Sequence, residues 1–242
     1  MYIRTMSWLF LPLALLLSQA KPVVVIDPGH GGDKSGARGV CGLVEKDLVL
    51  HIAKRVHHII ERSNLVESVV TRFEDRDVDL AQRAQMANRL GAKAFVSIHA
   101  NSSPLKNVQG VETFILSRRV ANKRVHRLAE RENEGIILDT EPQANIDFIV
   151  QDLALNGAYV ESQRLAHRVQ SHLAENMNTP DKGVLEGPFA VLWRSRMPAI
   201  LVEIGFLSHY EECKKLASKD YQETIARALA TGIIAHLLGE PG

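Results

Sequence analysis

Short apolar runs alternate with stretches of helical period along most of the chain. A short continuous apolar run is typical of a buried strand, whereas a helix repeats its apolar residues every three or four positions. Strands are predicted at 22–27, 65–72, 94–99, 111–117, 189–193 and 199–204, and helices at 45–63, 80–90, 122–135, 160–177 and 220–238. Strands separated by helices favour an α/β fold with a mostly parallel sheet. We therefore expect one domain, a three-layer sandwich whose central sheet is flanked by helices.

The first twenty residues depart from this pattern. They carry one charge, Arg4, followed by an apolar run at 8–17 and, at 18–20, a sequence that resembles a small-x-small cleavage site. This is the arrangement of a secretory signal peptide. The alternative is a membrane anchor, but a spanning helix needs about 20 apolar residues. We expect residues 1–20 to be removed on export, and 21–242 to form a monomer in the periplasm with no stable membrane anchor.

Composition excludes several classes of protein. The chain has 242 residues, with 29 basic and 28 acidic side chains and a formal charge of +1. This balance gives no support to a nucleic-acid partner. Two cysteines exclude a Cys-rich metal site or a disulfide-stapled scaffold. Export would allow Cys41 and Cys213 to pair, but the sequence alone leaves that question open.

A glycine-containing loop, 27–33, follows the first predicted strand. It does not match a dinucleotide-binding fingerprint, because Lys34 stands where a third glycine is needed, nor a Walker A loop, because Ala37 stands where lysine is needed. We instead expect the glycines to allow the backbone to approach a site closely, with His30 as the working side chain.

Chemically useful side chains recur where predicted strands end. His30 follows the first strand, His99 ends the third, and Glu203 lies in the apolar strand 199–204. Ligands of parallel α/β sheets bind at the carboxyl ends of strands, and Glu45 can return to that edge from the start of the first helix. Two imidazoles and a carboxylate form a ligand set of catalytic zinc. Glu203 would then be a base, or alternatively half of a structural ion pair with an arginine.

The connection between residues 117 and 160 is unusually long. Its length is roughly forty residues, whereas connections in compact domains are usually about 4–6 residues long. This segment must therefore hold structure or function of its own. The simpler alternative is an extra pair of helices packed on the sheet edge.

Several motifs together resemble a known family. They are V-V-I-D-P-G-H-G-G (24–32), G-x-x-E-K-D (42–47), R-x-x-x-A-N (83–88), F-V-S-I-H-A-N (95–101) and M-P-A-I-L-V-E-I-G-F-L-S (197–208). Across 22–238 the chain resembles the zinc-dependent N-acetylmuramoyl-L-alanine amidases of bacterial cell-wall remodelling. His209 departs from the asparagine that often follows the last motif, and Cys41 is a further departure.

The resemblance implies residue roles and a substrate. Zn²⁺ would be held by His30, Glu45 and His99, with Glu203 as the catalytic carboxylate and Asn101 as a weaker candidate for positioning substrate. The substrate would be peptidoglycan, cut at the amide between N-acetylmuramic acid and L-alanine of the stem peptide. Two alternatives remain: a zinc peptidase acting within stem peptides, and a non-catalytic peptidoglycan-binding module.

The resemblance also gives the long connection a role. Similar division amidases carry an inserted helix that places a glutamate on the zinc until an activator protein withdraws it. The insert would lie at about 122–158, with Glu132 as the inhibitory ligand and Glu134 as the second choice. Apolar residues at 136–138 and 148–149 could form the surface for the activator. The alternative is a charged helix that faces solvent and regulates nothing.

Overall fold

The computed structural model describes residues 20–117, 120–136 and 146–240, with the backbone alone for 146–157. The predicted signal peptide lies outside these residues except for Ala20. Within the described part of the chain, no helix has the length and apolar content needed to cross a membrane.

Six strands form one sheet in the order β2-β1-β3-β6-β4-β5. The strands are β1 (Val23–Pro28), β2 (Glu67–Val70), β3 (Ala94–Asn101), β4 (Val111–Leu116), β5 (Asp181–Gly187) and β6 (Ala199–Phe206). Neighbouring strands are parallel, except that β4 and β6 are antiparallel. The predicted α/β fold with a mostly parallel sheet is confirmed.

Seven helices are described. They are α1 (Glu45–Ser63), α2 (Leu80–Arg89), α3 (Lys123–Glu132), α4 (Ile146–Met177), α5 (Ala190–Trp193), α6 (Tyr210–Ala217) and α7 (Lys219–Leu237). Alternate strand residues face opposite sides of the sheet. Val24 and Ile26 belong to a core shared with α1, α4 and α7, whereas Val25 belongs to a second core shared with α2, α3 and α5. The sheet is thus covered on both faces.

One predicted strand is wrong and one was missed. Residues 189–193 contain helix α5, not a strand. The strand that the sequence analysis did not predict is β5. An apolar run this short cannot distinguish a strand from a buried helical turn. Strand β5 lies at the sheet edge and is largely half-exposed, so it lacks the continuous apolar run of a buried strand. Helix α6 was also missed, and α4 begins at Ile146 rather than at residue 160.

A disulfide joins the loop before α1 to helix α6. Cys41 and Cys213 are bonded with an S–S distance of 2.04 Å, across 172 residues of sequence. The backbone N–H of Val40 also donates to the carbonyl of Leu207, just after β6. The loop that leads to Glu45 is therefore fixed to the end of the central strand.

Candidate metal centre

Four side chains converge at the carboxyl edge of the sheet. His30 follows β1, Glu45 begins α1, His99 lies near the end of β3, and Glu132 ends α3. All four are buried, and one potential ligand atom from each lies within 4.8 Å of the others. The structure brings together the three predicted metal ligands and adds Glu132, the residue predicted to plug the site.

The atoms of this cluster have the spacing of ligands around one ion. Nε2 of His30 lies 3.1 Å from Oε1 of Glu45 and 3.2 Å from Oε2 of Glu132. Nδ1 of His99 lies 3.1 Å and 3.0 Å from the same two oxygens. Bonds of about 2.0–2.1 Å to a tetrahedral zinc ion imply ligand atoms roughly 3.3 Å apart. The four contacts fit a common centre.

Two atoms of the cluster lack hydrogen bonds. Nε2 of His30 and Oε2 of Glu132 are buried, and neither has a hydrogen-bond partner within the described part of the chain. The two atoms lie 3.2 Å apart without a hydrogen bond between them. Buried polar atoms normally find partners. A cation between them would satisfy both, so the residues present fit a divalent metal.

The two carboxylates of the cluster favour the form that binds metals. Burial opposes protonation of His30, but the nearby carboxylates of Glu45 and Glu132 together outweigh it and raise the pKa of His30 to about 9, so a bound metal would replace that proton. Burial opposes ionisation of Glu132, but the nearby imidazoles of His99 and His30 together outweigh it and lower the pKa of Glu132 to about 2. The pKa of Glu45 is also lowered, despite burial, mainly by His30. The carboxylates are thus held ionised, the form that binds metals.

Two backbone amides fix the orientation of Glu45. The N–H of Ala37 donates to its Oε2 at 2.7 Å, and the N–H of Ala100 donates to its Oε1 at 3.0 Å. Gly36, with φ of 65°, lies between the two ligands: a Cβ there would be 2.5 Å from Oε2 of Glu45 and 2.6 Å from Cδ2 of His30. Only glycine fits this position.

Glu203 lies beside the cluster with a free carboxylate. It is fully buried in β6 and in register with His99 of β3. Neither of its oxygens has a hydrogen-bond partner among the described residues, so an arginine does not account for its burial. Burial, together with the charges of Glu132 and Glu45, raises its pKa well above the usual range. A buried carboxylate without a structural partner is typical of a functional group.

Comparison with known proteins identifies the family to which this chain belongs. The model of the N-acetylmuramoyl-L-alanine amidase family matches residues 24–235. The chain belongs to that family.

The chain is similar to amidases over most of its length. It is 32% identical to the amidase AmiA of Escherichia coli K12, over 90% of this chain and 77% of that protein. It is also 32% identical to AmiC of Escherichia coli O6:H1, but spans only 52% of that relative. The solved structure of AmiC2 from Nostoc punctiforme is 35% identical, with a TM-score of 0.68 over 90% of this chain and 98% of that one.

Asn101 of this amidase is engaged by the protein itself. Its Nδ2 donates to Oε1 of the buried Glu112 at 2.7 Å. Its Oδ1 accepts from Nη2 of Arg131, in α3, at 3.0 Å. It therefore links β3 to α3, and its side-chain amide is already in use.

Sequence reasoning missed a group of buried charges behind the amidase site. Asp27, Arg72 and Arg83 are almost completely buried under the loop that carries His30. Asp27 and Arg83 lie within the family motifs, which was the signal available. The motifs alone do not indicate that these side chains are buried beneath the His30 loop, because arginines are ordinarily exposed.

Proposed function

We propose that this protein is a zinc-dependent peptidoglycan hydrolase that cuts the amide between the lactyl group of N-acetylmuramic acid and L-alanine of the stem peptide. The observation that carries the proposal is the buried cluster of His30, Glu45 and His99 beside the unpartnered carboxylate of Glu203, in a chain of the amidase family.

His30, Glu45 and His99 would hold the zinc. Two imidazole nitrogens and a carboxylate oxygen are a catalytic ligand set that leaves one position for substrate or water. The bound ion would supply a Lewis acid that polarises the scissile carbonyl and lowers the pKa of water.

Glu203 is the proposed general base. It would take a proton from the attacking water and return it to the alanine nitrogen as the carbon–nitrogen bond breaks. Its two free oxygens and its register with His99 support this role. Asn101 would position substrate only where an arriving ligand replaces one of its present hydrogen bonds.

Glu132 is the proposed inhibitory ligand. Its Oε2 is as close to both histidine nitrogens as Glu45 is, and it would take the position that water needs. Glu134, the second choice, instead forms an ion pair with Lys34 and is not part of the cluster. An activator protein would open the site by binding the displaced form of α3 more tightly than the plugged form.

Part of the proposed activator surface lies outside the described residues. Ile136 is described and is 43% exposed. Residues 137–138 and the side chains at 148–149 are not described, so their role stays a prediction.

The periplasm is the proposed location. Residues 1–20 have the pattern of a signal peptide, and the disulfide between Cys41 and Cys213 suits an oxidising compartment.

Digestion of purified peptidoglycan tests the reaction. Residues 21–242, as the unaltered sequence and as Glu132→Ala, would be incubated with zinc and sacculi, and the products identified by mass spectrometry. We expect intact stem peptides and unmodified glycan, with Glu203→Gln as the inactive control. Shortened stem peptides would instead indicate a peptidase. Binding to sacculi without any cleavage, even by Glu132→Ala, would indicate a non-catalytic module.

A further inference from the structure

Two arginines are buried directly behind the loop that presents His30. Arg72 is fully buried and Arg83 is 1% exposed. A buried guanidinium is costly unless its donors are satisfied. Asp27, the one described acidic side chain that pairs with Arg83, leaves most of these donors to be used elsewhere.

Arg83 binds the backbone on both sides of the histidine loop. Its Nη2 donates to the carbonyl of His30 at 2.8 Å, and its Nη1 donates to the carbonyl of Pro28 at 2.8 Å. Nη1 also donates to Oδ1 of Asp27 at 2.8 Å. Asp27 is itself fixed, because its Oδ2 accepts from the hydroxyl of Ser97 at 2.8 Å.

Arg72 continues the same contacts along the loop. Its Nε donates to the carbonyl of Pro28 at 3.0 Å, and its Nη2 donates to that of Gly29 at 2.7 Å. Nη2 also donates to the carbonyl of Lys46 at 2.9 Å, one residue after Glu45. Three consecutive carbonyls, at 28, 29 and 30, therefore point away from the metal cluster towards two buried cations.

The loop needs such support because its backbone is constrained. His30 has a φ of 58°, in the left-handed region that residues other than glycine rarely adopt. On the opposite side, a Cβ at position 29 would lie 2.3 Å from Cε1 of His99, so the loop backbone packs against the second histidine ring. The loop is enclosed between His99 and the two guanidinium groups.

We infer that Arg83 and Arg72 are positioning residues for the metal: they fix the backbone of residues 28–30 so that the His30 imidazole faces Glu45 and His99. Arg72 also helps to position Glu45, because it donates to the carbonyl of Lys46 in the first turn of α1. The planar fork of a guanidinium donates to several carbonyls at once, which the single ammonium of lysine cannot reproduce. The inference rests on the proposed metal site, but not on the substrate.

Metal binding by Arg83→Lys tests the inference without any peptidoglycan. Zinc affinity would be measured by competition with a chelator, and ligand geometry by the visible absorption of bound Co²⁺. Partners behind a metal ligand typically contribute about 10- to 100-fold in metal affinity, and we expect a loss in that range together with a changed Co²⁺ spectrum. The matched control is Arg76→Lys. Arg76 is exposed, donates to the carbonyl of Thr71 and should leave both measurements unchanged.

A double-mutant cycle separates positioning from general stability. In a His30→Ala background, Arg83→Lys should lower zinc affinity no further, because the side chain it positions is gone. An equal loss in both backgrounds, or unchanged zinc affinity and Co²⁺ spectrum in Arg83→Lys alone, would overturn the inference. Should Arg83→Lys fail to fold, as judged by circular dichroism, Arg72→Lys takes its place. Because Arg72 also supports Glu45, its effect on zinc affinity should be smaller in the His30→Ala background than alone, and an equal loss in both backgrounds would overturn the inference.

The result also separates this inference from the proposed function. Unchanged zinc affinity in His30→Ala would refute the metal site itself. Normal zinc binding by Glu132→Ala without release of stem peptides would refute only the proposed reaction.

Discussion

The His30 loop and helix α3 both contribute a side chain to the metal cluster, but they are held in very different ways. The loop is fixed from behind by charge-assisted hydrogen bonds of Arg72 and Arg83, in a fully buried setting. Helix α3 is held near Glu132 by contacts closer to the surface. Arg131 donates to the carbonyl of Ser102 at an exposed position, and the Lys34–Glu134 pair is partly open to solvent.

Under the proposed function, this difference separates the permanent ligand His30 from the removable ligand Glu132. Breaking a buried charge pair leaves an uncompensated charge and is strongly destabilising, whereas exposed pairs contribute about 0–1 kcal/mol. Helix α3 also buries an apolar face, formed by Val125, Leu128 and Ala129. Displacement of Glu132 therefore needs a partner that replaces these apolar contacts, while His30 stays in place.

The largest expected effect comes from removing a permanent ligand. His99→Ala should lose stoichiometric zinc and essentially all hydrolysis, because only His30 and Glu45 would remain in the catalytic set. Zinc content per chain, measured by atomic emission after dialysis, checks this. Glu132→Ala is the contrasting variant and should keep one zinc per chain. Full metal content and full activity in His99→Ala would contradict the assignment.

Glu203→Gln should lower turnover at least about 100-fold, the low end of general-base contributions. The amide keeps the shape of the side chain but cannot accept the proton. Zinc content should not change, because Glu203 is not proposed as a ligand. The check is the rate of stem-peptide release at saturating substrate. Near-normal turnover would indicate instead that Glu203 has a structural role.

Glu132→Ala should raise the basal rate without an activator, because it removes the proposed plug. An increase of about 5- to 150-fold is the usual range for coupling between a regulatory element and a site. Glu134→Ala is the matched control, since it removes only the ion pair with Lys34. Unchanged rates in both variants, together with a crystal structure whose zinc has an open position, would refute the plug.

The smallest effect on activity is expected from the disulfide. Replacing both Cys41 and Cys213 with alanine should lower the free energy of unfolding by about 2–5 kcal/mol, the usual cost of losing a native disulfide. The rate of the folded enzyme should change little, because two backbone amides still hold Glu45. Urea unfolding checks this, with the oxidised unaltered protein as reference and the reduced protein as a second form without the bond. Equal stability with and without the bond would contradict the prediction.

The sequence predicted the buried strands at the centre of the sheet better than the strand at its edge. Strand β3 begins with an apolar run and is buried throughout, and the sequence predicted it, whereas β5 lies at an edge and has no such pattern. His30, His99 and Glu203 were located because parallel strands bring their carboxyl ends to one edge. Arg72 and Arg83 were not located, because burial of an arginine depends on carbonyl groups that only the folded loop brings together.

The disulfide also changes what a proteolytic cut would do. The bond between Cys41 and Cys213, which are 172 positions apart in sequence, closes the chain into a covalent ring. The whole connection between β4 and α4 lies inside this ring. One cut anywhere in that connection opens the ring but leaves both pieces in a single molecule. The nicked protein would have the mass of the intact chain plus one water, and its pieces would separate on a gel only after reduction. If Glu132 is the plug that we propose, cleavage there would relieve it while His30, Glu45 and His99 stay covalently joined to Glu203.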